Sequence, residues 1–350
     1  MSILRLPAEW ETQDLIQIAF PSRQSDWIDY WNEIIPCYIN IIKVIACYQP
    51  LLIVCDNESE LKKHICDIDD ANIYIIEIPI NDTWARDHGA ITVQHGNEFI
   101  IYDFMFNGWG LKFGADKDNL ITKELWKKGV YSSKKLVTAD LVLEGGSIES
   151  DGKGTVLTTS NCLLSPNRNP HLSKEEIEQK LKTYLGLKQM LWLDYGHLEG
   201  DDTDAHIDTL ARLCDQNTIA YVQCTDVDEA HYKPLKEMEV ELQALKTTDG
   251  KPYNLVSLPM CDAVYAPDDD RRLPATYANF LIMNDVVLMP TYNLPQDAEA
   301  LAQLQKAFPG KKIEGVDCRA LLLQHGSLHC ITMQYPKGSI NFEALEQYKY

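Results

Sequence analysis

Apolar and polar positions along this chain fall into one unit that recurs. At residues 89–104 two runs rich in apolar and β-branched residues flank a turn at His95-Gly96-Asn97. The pattern returns at 145–160 through Asp151-Gly152-Lys153-Gly154, at 208–224 through Asp215-Gln216-Asn217, and at 279–292 through Asn284-Asp285. Strand-length runs flanking turn residues are the signature of a β-hairpin. A fifth, less complete copy is expected at 326–335.

Between the hairpins the spacing becomes helical. Ser173 to Glu176 reads as a capping box, followed by Ile177, Leu181, Tyr184 and Leu185 on one face and ended by Gly186. Pro234 suits a first helical turn, ahead of an apolar stripe at Leu235, Met238, Leu242 and Leu245. Residues 298–308 repeat the idea and stop at Pro309-Gly310; residues 26–48 are predicted helical, and 51–55 and 73–80 as strands. Such a unit fits radial repetition, as in a propeller, and fits equally an ordinary α/β sheet carrying several hairpins.

Composition removes several alternatives. The Ile-rich stretch 33–56 is interrupted by Pro36, Asn40, Lys43 and Pro50, so it predicts a buried helix and strand and no membrane span. The first dozen residues hold no basic-then-apolar run, so no signal peptide is expected and the protein is read as cytoplasmic. The ten cysteines are then expected as reduced thiols, mostly core residues, since no C-x-x-C pair occurs. A net charge of −20 argues against nucleic acid and favours a small cationic substrate, although plain solubility explains an acidic surface as well.

Polar clusters fall at the hairpin starts. Trp84 to Asp87 precedes the first, Glu144-Gly145-Gly146 opens the second, and His206-Ile207-Asp208 the third; Asn279 opens the fourth, and His329-Cys330 the fifth. If the repeats surround an axis, these clusters converge on one pocket. His206 and Asp208, two apart, would face the same way along an extended strand. Asp87 beside Trp84 suits a flat cation, and Arg86-Asp87 is equally readable as a structural ion pair. Cys330 is the sharpest candidate nucleophile, with His206 available as its proton shuttle. A metal site of His206, Asp208, His329 and Cys330 matches no standard spacing, and the adjacent His329 and Cys330 would point to opposite faces of a strand.

At these residues the sequence resembles the agmatine deiminase and bacterial peptidylarginine deiminase family of guanidine-modifying enzymes. The matching stretches are Trp84 to Ala90, Leu143 to Gly146, Asn161 to Pro170, Gly200 to Asp208, Tyr277 to Phe280 and His329 to Pro336, in the family's order. The resemblance implies an α/β fold of the pentein type, an α/β-propeller with five-fold pseudosymmetry, formed by residues 1–350 as a single domain. It implies that Cys330 is the nucleophile and His206 the general acid and base. Asp87 and Asp208 would grip the guanidinium, Trp84 would form a pocket wall, and Glu144 and Asn279 would support the substrate site. Neither metal nor cofactor is implied. The implied reaction is hydrolysis of agmatine through an S-alkylthiouronium intermediate; the alternatives are a peptidylarginine deiminase, a free-arginine deiminase, and a non-catalytic binding protein on the same fold. The chain reads Gln324-His-Gly-Ser-Leu-His-Cys330 where many agmatine deiminases carry Gly-Gly-Gly-Asn-Ile-His-Cys, which loosens the substrate more than the chemistry. The sequence leaves a homo-oligomer open.

Overall fold

The computed structural model describes residues 4–68 and 72–350. The chain divides into two compact units: Glu11–Gly145 with Cys330–Tyr350 and Leu4, and Arg5–Trp10 with Gly146–His329. One of the divisions between them falls between the adjacent residues His329 and Cys330.

Among the described residues, five sheets share one pattern, in which a central strand carries an antiparallel strand on one side and a parallel strand on the other. In the first unit Glu98–Met105 pairs antiparallel with Ile91–His95 and parallel with Leu136–Val142. Gln13–Ala19 pairs antiparallel with Thr332–Pro336 and parallel with Leu51–Cys55, which carries Ile73–Glu77 beyond it. In the second unit the central strands are Thr155–Thr159, Thr218–Gln223 and Val286–Thr291. Their antiparallel partners are Ile148–Ser150, Ala211–Leu213 and Leu281–Ile282. Their parallel partners are Gln189–Leu193, Asn254–Pro259 and Lys312–Asp317. A parallel neighbour needs a crossover, and the helices Trp31–Tyr48, Ile121–Lys127, Lys174–Leu185, Tyr232–Ala244 and Asp297–Ala307 lie in those connections.

The four complete hairpins of the sequence are present. The fifth copy differs: Thr332–Pro336 has no hairpin partner in its own stretch and pairs with Gln13–Ala19. The central strands Gln13–Ala19 and Thr155–Thr159 are buried throughout, as expected of strands covered on both faces. The capping box at Ser173 forms as the sequence predicts, Ile177, Leu181 and Leu185 are buried, and Gly186 closes the helix at φ 70°. Leu245 lies just past the end of Tyr232–Ala244. All ten cysteines are free thiols. No helix of the described residues is long and apolar enough to cross a membrane.

Candidate active site

Each candidate cluster sits just ahead of the antiparallel strand of its own sheet. In the first unit, Trp84 precedes the one-turn helix Ala85–His88, which carries Asp87. The Arg86 amide donates to the Cys330 carbonyl at 3.1 Å, so the backbone of this turn is tied to that of Cys330. The turn packs tightly: a Cβ on Gly145 would stand 2.1 Å from the Arg86 carbonyl oxygen, and one on Gly89 2.5 Å from that of Ala85. The Gly145 approach explains the glycine after Glu144, itself fully buried. Cys330 is 6% exposed.

Asp87 is held by a residue that the sequence reading passed over. The indole Nε1 of Trp109 donates to Asp87 Oδ2 at 2.9 Å. Trp109 lies in a run of four left-handed residues, Gly108, Trp109, Gly110 and Leu111, at φ 66°, 55°, 82° and 68°. A tryptophan there is strained, and strain persists where surrounding contacts hold it. Phe106 and Phe113 meet the Trp109 ring edge-on at 4.9 and 5.6 Å between centroids. The available signal was Asn107-Gly-Trp-Gly110, a tryptophan between glycines just beyond a strand.

Trp84 is buried with its ring 5.8 Å from that of Trp27. Beneath it, Asp82 accepts from Trp27 Nε1 at 2.9 Å and from the Thr83 amide at 2.7 Å. Burial pushes the Asp82 carboxyl up to about 6 despite these hydrogen bonds, and burial with the neighbouring Asp82 charge pushes Asp118 up to about 7. Asp118 accepts from the amides of Asn81 and Asp82, anchoring the entrance to the Trp84 turn.

In the second unit, His206 and Asp208 do not lie in the extended strand that their spacing predicts. Ile207–Thr209 is a 3-10 turn with His206 at its start, so same-face alternation does not apply. The preceding Asp204 and Ala205 are left-handed at φ 66° and 64°. Asp201 holds this bend through Thr203 Oγ1 at 2.6 Å and the Ala205 amide at 2.7 Å. Arg168 clamps it from the other side, reaching Asp204 Oδ2 at 2.5 Å and the Thr203 carbonyl at 2.9 Å. That gives a role to Arg168 in the stretch from Asn161 to Pro170, for which the sequence suggested none.

Asp208 is fully buried. Its Oδ2 lies 2.8 Å from His329 Nδ1, while its Oδ1 has no hydrogen-bond partner. Burial by itself would raise this carboxyl; the His329 hydrogen bond and the His329, His206 and Arg212 charges outweigh it and hold Asp208 below the usual carboxylate range. Asn279 ties the backbone of the pair together, its Nδ2 donating to the Asp208 carbonyl at 3.2 Å and its Oδ1 accepting from the His329 amide at 2.9 Å. Behind His329 lies a buried ionic group. His329 Nε2 is 2.8 Å from Glu9 Oε2, and Arg212, fully buried, donates to Glu9 Oε2 at 2.7 Å and to Glu149.

One expectation about metal ligation changes. Leu328 to Cys330 form a turn, not a strand, so the opposite-face argument against joint ligation by His329 and Cys330 fails. The ligand atoms of Glu9, Glu149 and His329 do lie within 4.8 Å of one another. The Arg212 guanidinium already bonds Glu9 and Glu149, supplying the cation such a group needs.

Residues 5–336 match the model of the Porphyromonas-type peptidyl-arginine deiminase family. The agmatine deiminase of Pseudomonas aeruginosa (strain LESB58) is 32% identical over 95% of this chain and 95% of its own. A C. Jejuni agmatine deiminase, solved as a cysteine-to-serine variant with substrate bound, is 40% identical, covers 97% of this chain and 98% of its own, and superposes with a TM-score of 0.90. A Porphyromonas gingivalis structure provisionally named an arginine deiminase is 45% identical, with coverages of 97% and 100% and a TM-score of 0.91. By the extent of these matches, the chain belongs to the Porphyromonas-type peptidyl-arginine deiminase family and shares the mixed α/β fold of agmatine deiminases of known structure.

Proposed function

We propose that this chain is an agmatine deiminase of the cytoplasm, hydrolysing agmatine to N-carbamoylputrescine and ammonia on the route to putrescine. The observation that carries the reading is Asp208, fully buried with one oxygen held and the other without a donor. A buried acceptor left without a donor costs about 1–3 kcal/mol. Such a cost is sensible where a ligand brings the missing N–H, and a guanidinium presents planar N–H groups that match carboxylates. The C. Jejuni relative supports the assignment further, because replacing a cysteine by serine left that enzyme with its substrate bound.

In this reading Asp87 and Asp208 fix the guanidinium plane, Trp84 lines the pocket, and Glu144 and Asn279 support it. The Cys330 thiolate attacks the central carbon and forms a C–S bond. His206 protonates one nitrogen, the C–N bond breaks, and ammonia leaves an S-alkylthiouronium. His206 then takes a proton from water, which adds to the same carbon; the C–S bond breaks and the urea product departs. Covalent catalysis gains by splitting one hard hydrolysis into two steps. The five sheet units are read as the blades of a pentein propeller with five-fold pseudosymmetry, residues 1–350 forming one domain.

A peptidylarginine deiminase is the second reading, favoured by the family model's own description. A colorimetric ureido assay with agmatine, free arginine and an arginyl peptide decides between them. Turnover of agmatine well above the other two is expected; preference for the peptide, or turnover of none, overturns the proposal.

A further inference from the structure

Asp208 can present one oxygen to a substrate only if the other is fixed, and the fixing group reaches far along the chain. His329 Nδ1 is 2.8 Å from Asp208 Oδ2. A carboxylate can only accept, so the proton between them sits on Nδ1. The far edge of the same ring meets Glu9 Oε2 at 2.8 Å and Arg212 Nη2 at 3.0 Å. Glu9 is itself held by the Ile282 amide, which donates to Oε1 at 2.7 Å. Arg212 is fixed by Glu149 and by the carbonyls of Ala278 and Phe280. These groups are all at least nine-tenths buried, so the ring has no solvent to turn toward.

We propose that His329, backed by Glu9 and Arg212, is a positioning residue that pins Oδ2 of Asp208 and turns Oδ1 toward the substrate guanidinium. This rests on the guanidine-hydrolase reading for its consequence, though not for its geometry. Glu9 lies inside the residues matched by the family model but far in sequence from the motif stretches that carry the resemblance, and it acts on Asp208 through a single ring. Besides His329, the charges of His206 and Arg212 hold the Asp208 carboxyl down, and the Asp208 charge in turn raises Asp201. Removing the Nδ1 donor takes away the leading group that holds the Asp208 carboxyl down, and its burial then acts unopposed by that bond.

The test uses the two amide replacements of the ring. An asparagine amide can stand where Nδ1 stands, and a glutamine amide reaches toward the place of Nε2. His329→Gln should lower kcat/KM about 10- to 100-fold, the value of one hydrogen bond to a charged group. His329→Asn should recover most of that loss, an order that simple space filling would not produce. The acid limb of kcat/KM should move to higher pH in His329→Gln and stay near wild type in His329→Asn. Carboxyl carbon NMR of aspartate-labelled protein supplies a readout free of turnover, the Asp208 signal being the one missing in Asp208→Asn. That signal should titrate at higher pH in His329→Gln than in wild type. If wild type turns over no guanidine compound, the functional reading fails while the titration still decides the pinning. Should His329→Gln not fold, Glu9→Gln is read by the same titration. Equal activity of the two His329 variants, or an Asp208 signal unmoved in the variant that folds, overturns the proposal.

Discussion

Asp87 and Asp208 receive their fixing hydrogen bonds from very different neighbours. Asp87 takes one from a neutral indole, Trp109, carried on a left-handed loop and wedged between two phenylalanine edges. Asp208 takes one from His329, with a buried glutamate and arginine behind the ring. The first arrangement is local, and its cost is conformational, roughly 1–3 kcal/mol for each strained residue. The second gathers residues from both ends of the sequence, and its cost is the desolvation of charges that only each other's company offsets. A neutral support therefore tolerates loss of its carboxylate, whereas an ionic one does not.

The comparison needs a floor, which Cys330→Ser provides by removing the proposed nucleophile and touching neither support. Turnover should fall at least about a thousandfold with the melting temperature unchanged. Near-native turnover would remove Cys330 from the chemistry, and with it the reason to compare the two aspartates.

Next come the aspartates themselves. Asp87→Asn and Asp208→Asn should each lower kcat/KM by roughly 10- to 150-fold, since each gives up the charge-assisted bond to the substrate proposed for it. They should part company in stability. Asp208→Asn leaves Arg212 and His329 with less counter-charge in a dry place and should lower the melting temperature clearly; Asp87→Asn should barely move it. Equal melting temperatures would erase the distinction.

Trp109→Phe sharpens the neutral side. It keeps a ring between Phe106 and Phe113 and removes only the N–H, so kcat/KM should fall about tenfold with little loss of stability. A larger fall in stability than in activity would make Trp109 a packing residue.

The smallest effect is a difference in pH slope. Asp82 and Asp118, beneath the Trp84 turn, are raised by burial to about 6 and about 7, above their value of 3.8 in the unfolded chain. The folded state therefore holds protons that the unfolded chain gives up, and their contribution to stability is full at low pH and lost as pH rises to 7. Asp208 is depressed, so its contribution is present above 3.8 and lost only as pH falls through its lower folded value. Melting temperatures of wild type and Asp118→Asn between pH 4 and 8 should show a flatter decline in the variant. Parallel curves would mean that Asp118 stays ionised throughout.

Much of this was written in local sequence, and the remainder was not for identifiable reasons. The hairpins at 89–104, 145–160, 208–224 and 279–292 were legible because both strands and their turn lie within a short stretch. Of the parallel partners of the central strands only Leu51–Cys55 was legible; those that follow the four hairpins were not. Lys312–Asp317 mixes charged and apolar residues and buries only Val316, and Leu136–Val142 carries threonine and aspartate, so neither shows a core-strand run. Cys330, Asp87 and Asp208 stood out because their types and order resemble a known family. Glu9 and Arg212 did not, because a buried charge with a distant partner looks in sequence like any surface charge. The extended geometry assumed for His206 and Asp208 failed because spacing cannot reveal a 3-10 turn.

The pairing of Thr332–Pro336 with Gln13–Ala19 sets an order on synthesis. Every residue of the second unit, including its N-terminal piece Arg5–Trp10, has been translated before Cys330 is added. The first unit begins earlier, yet its first sheet must wait for a strand near the other end of the chain. On a ribosome adding about 5–20 residues per second, the later-starting unit is thus ready to fold first. Until the last stretch emerges, Gln13–Ala19 is an all-buried strand lacking one edge partner, the kind of segment that chaperones cover. The residue proposed as nucleophile then arrives two positions ahead of the strand that completes that sheet.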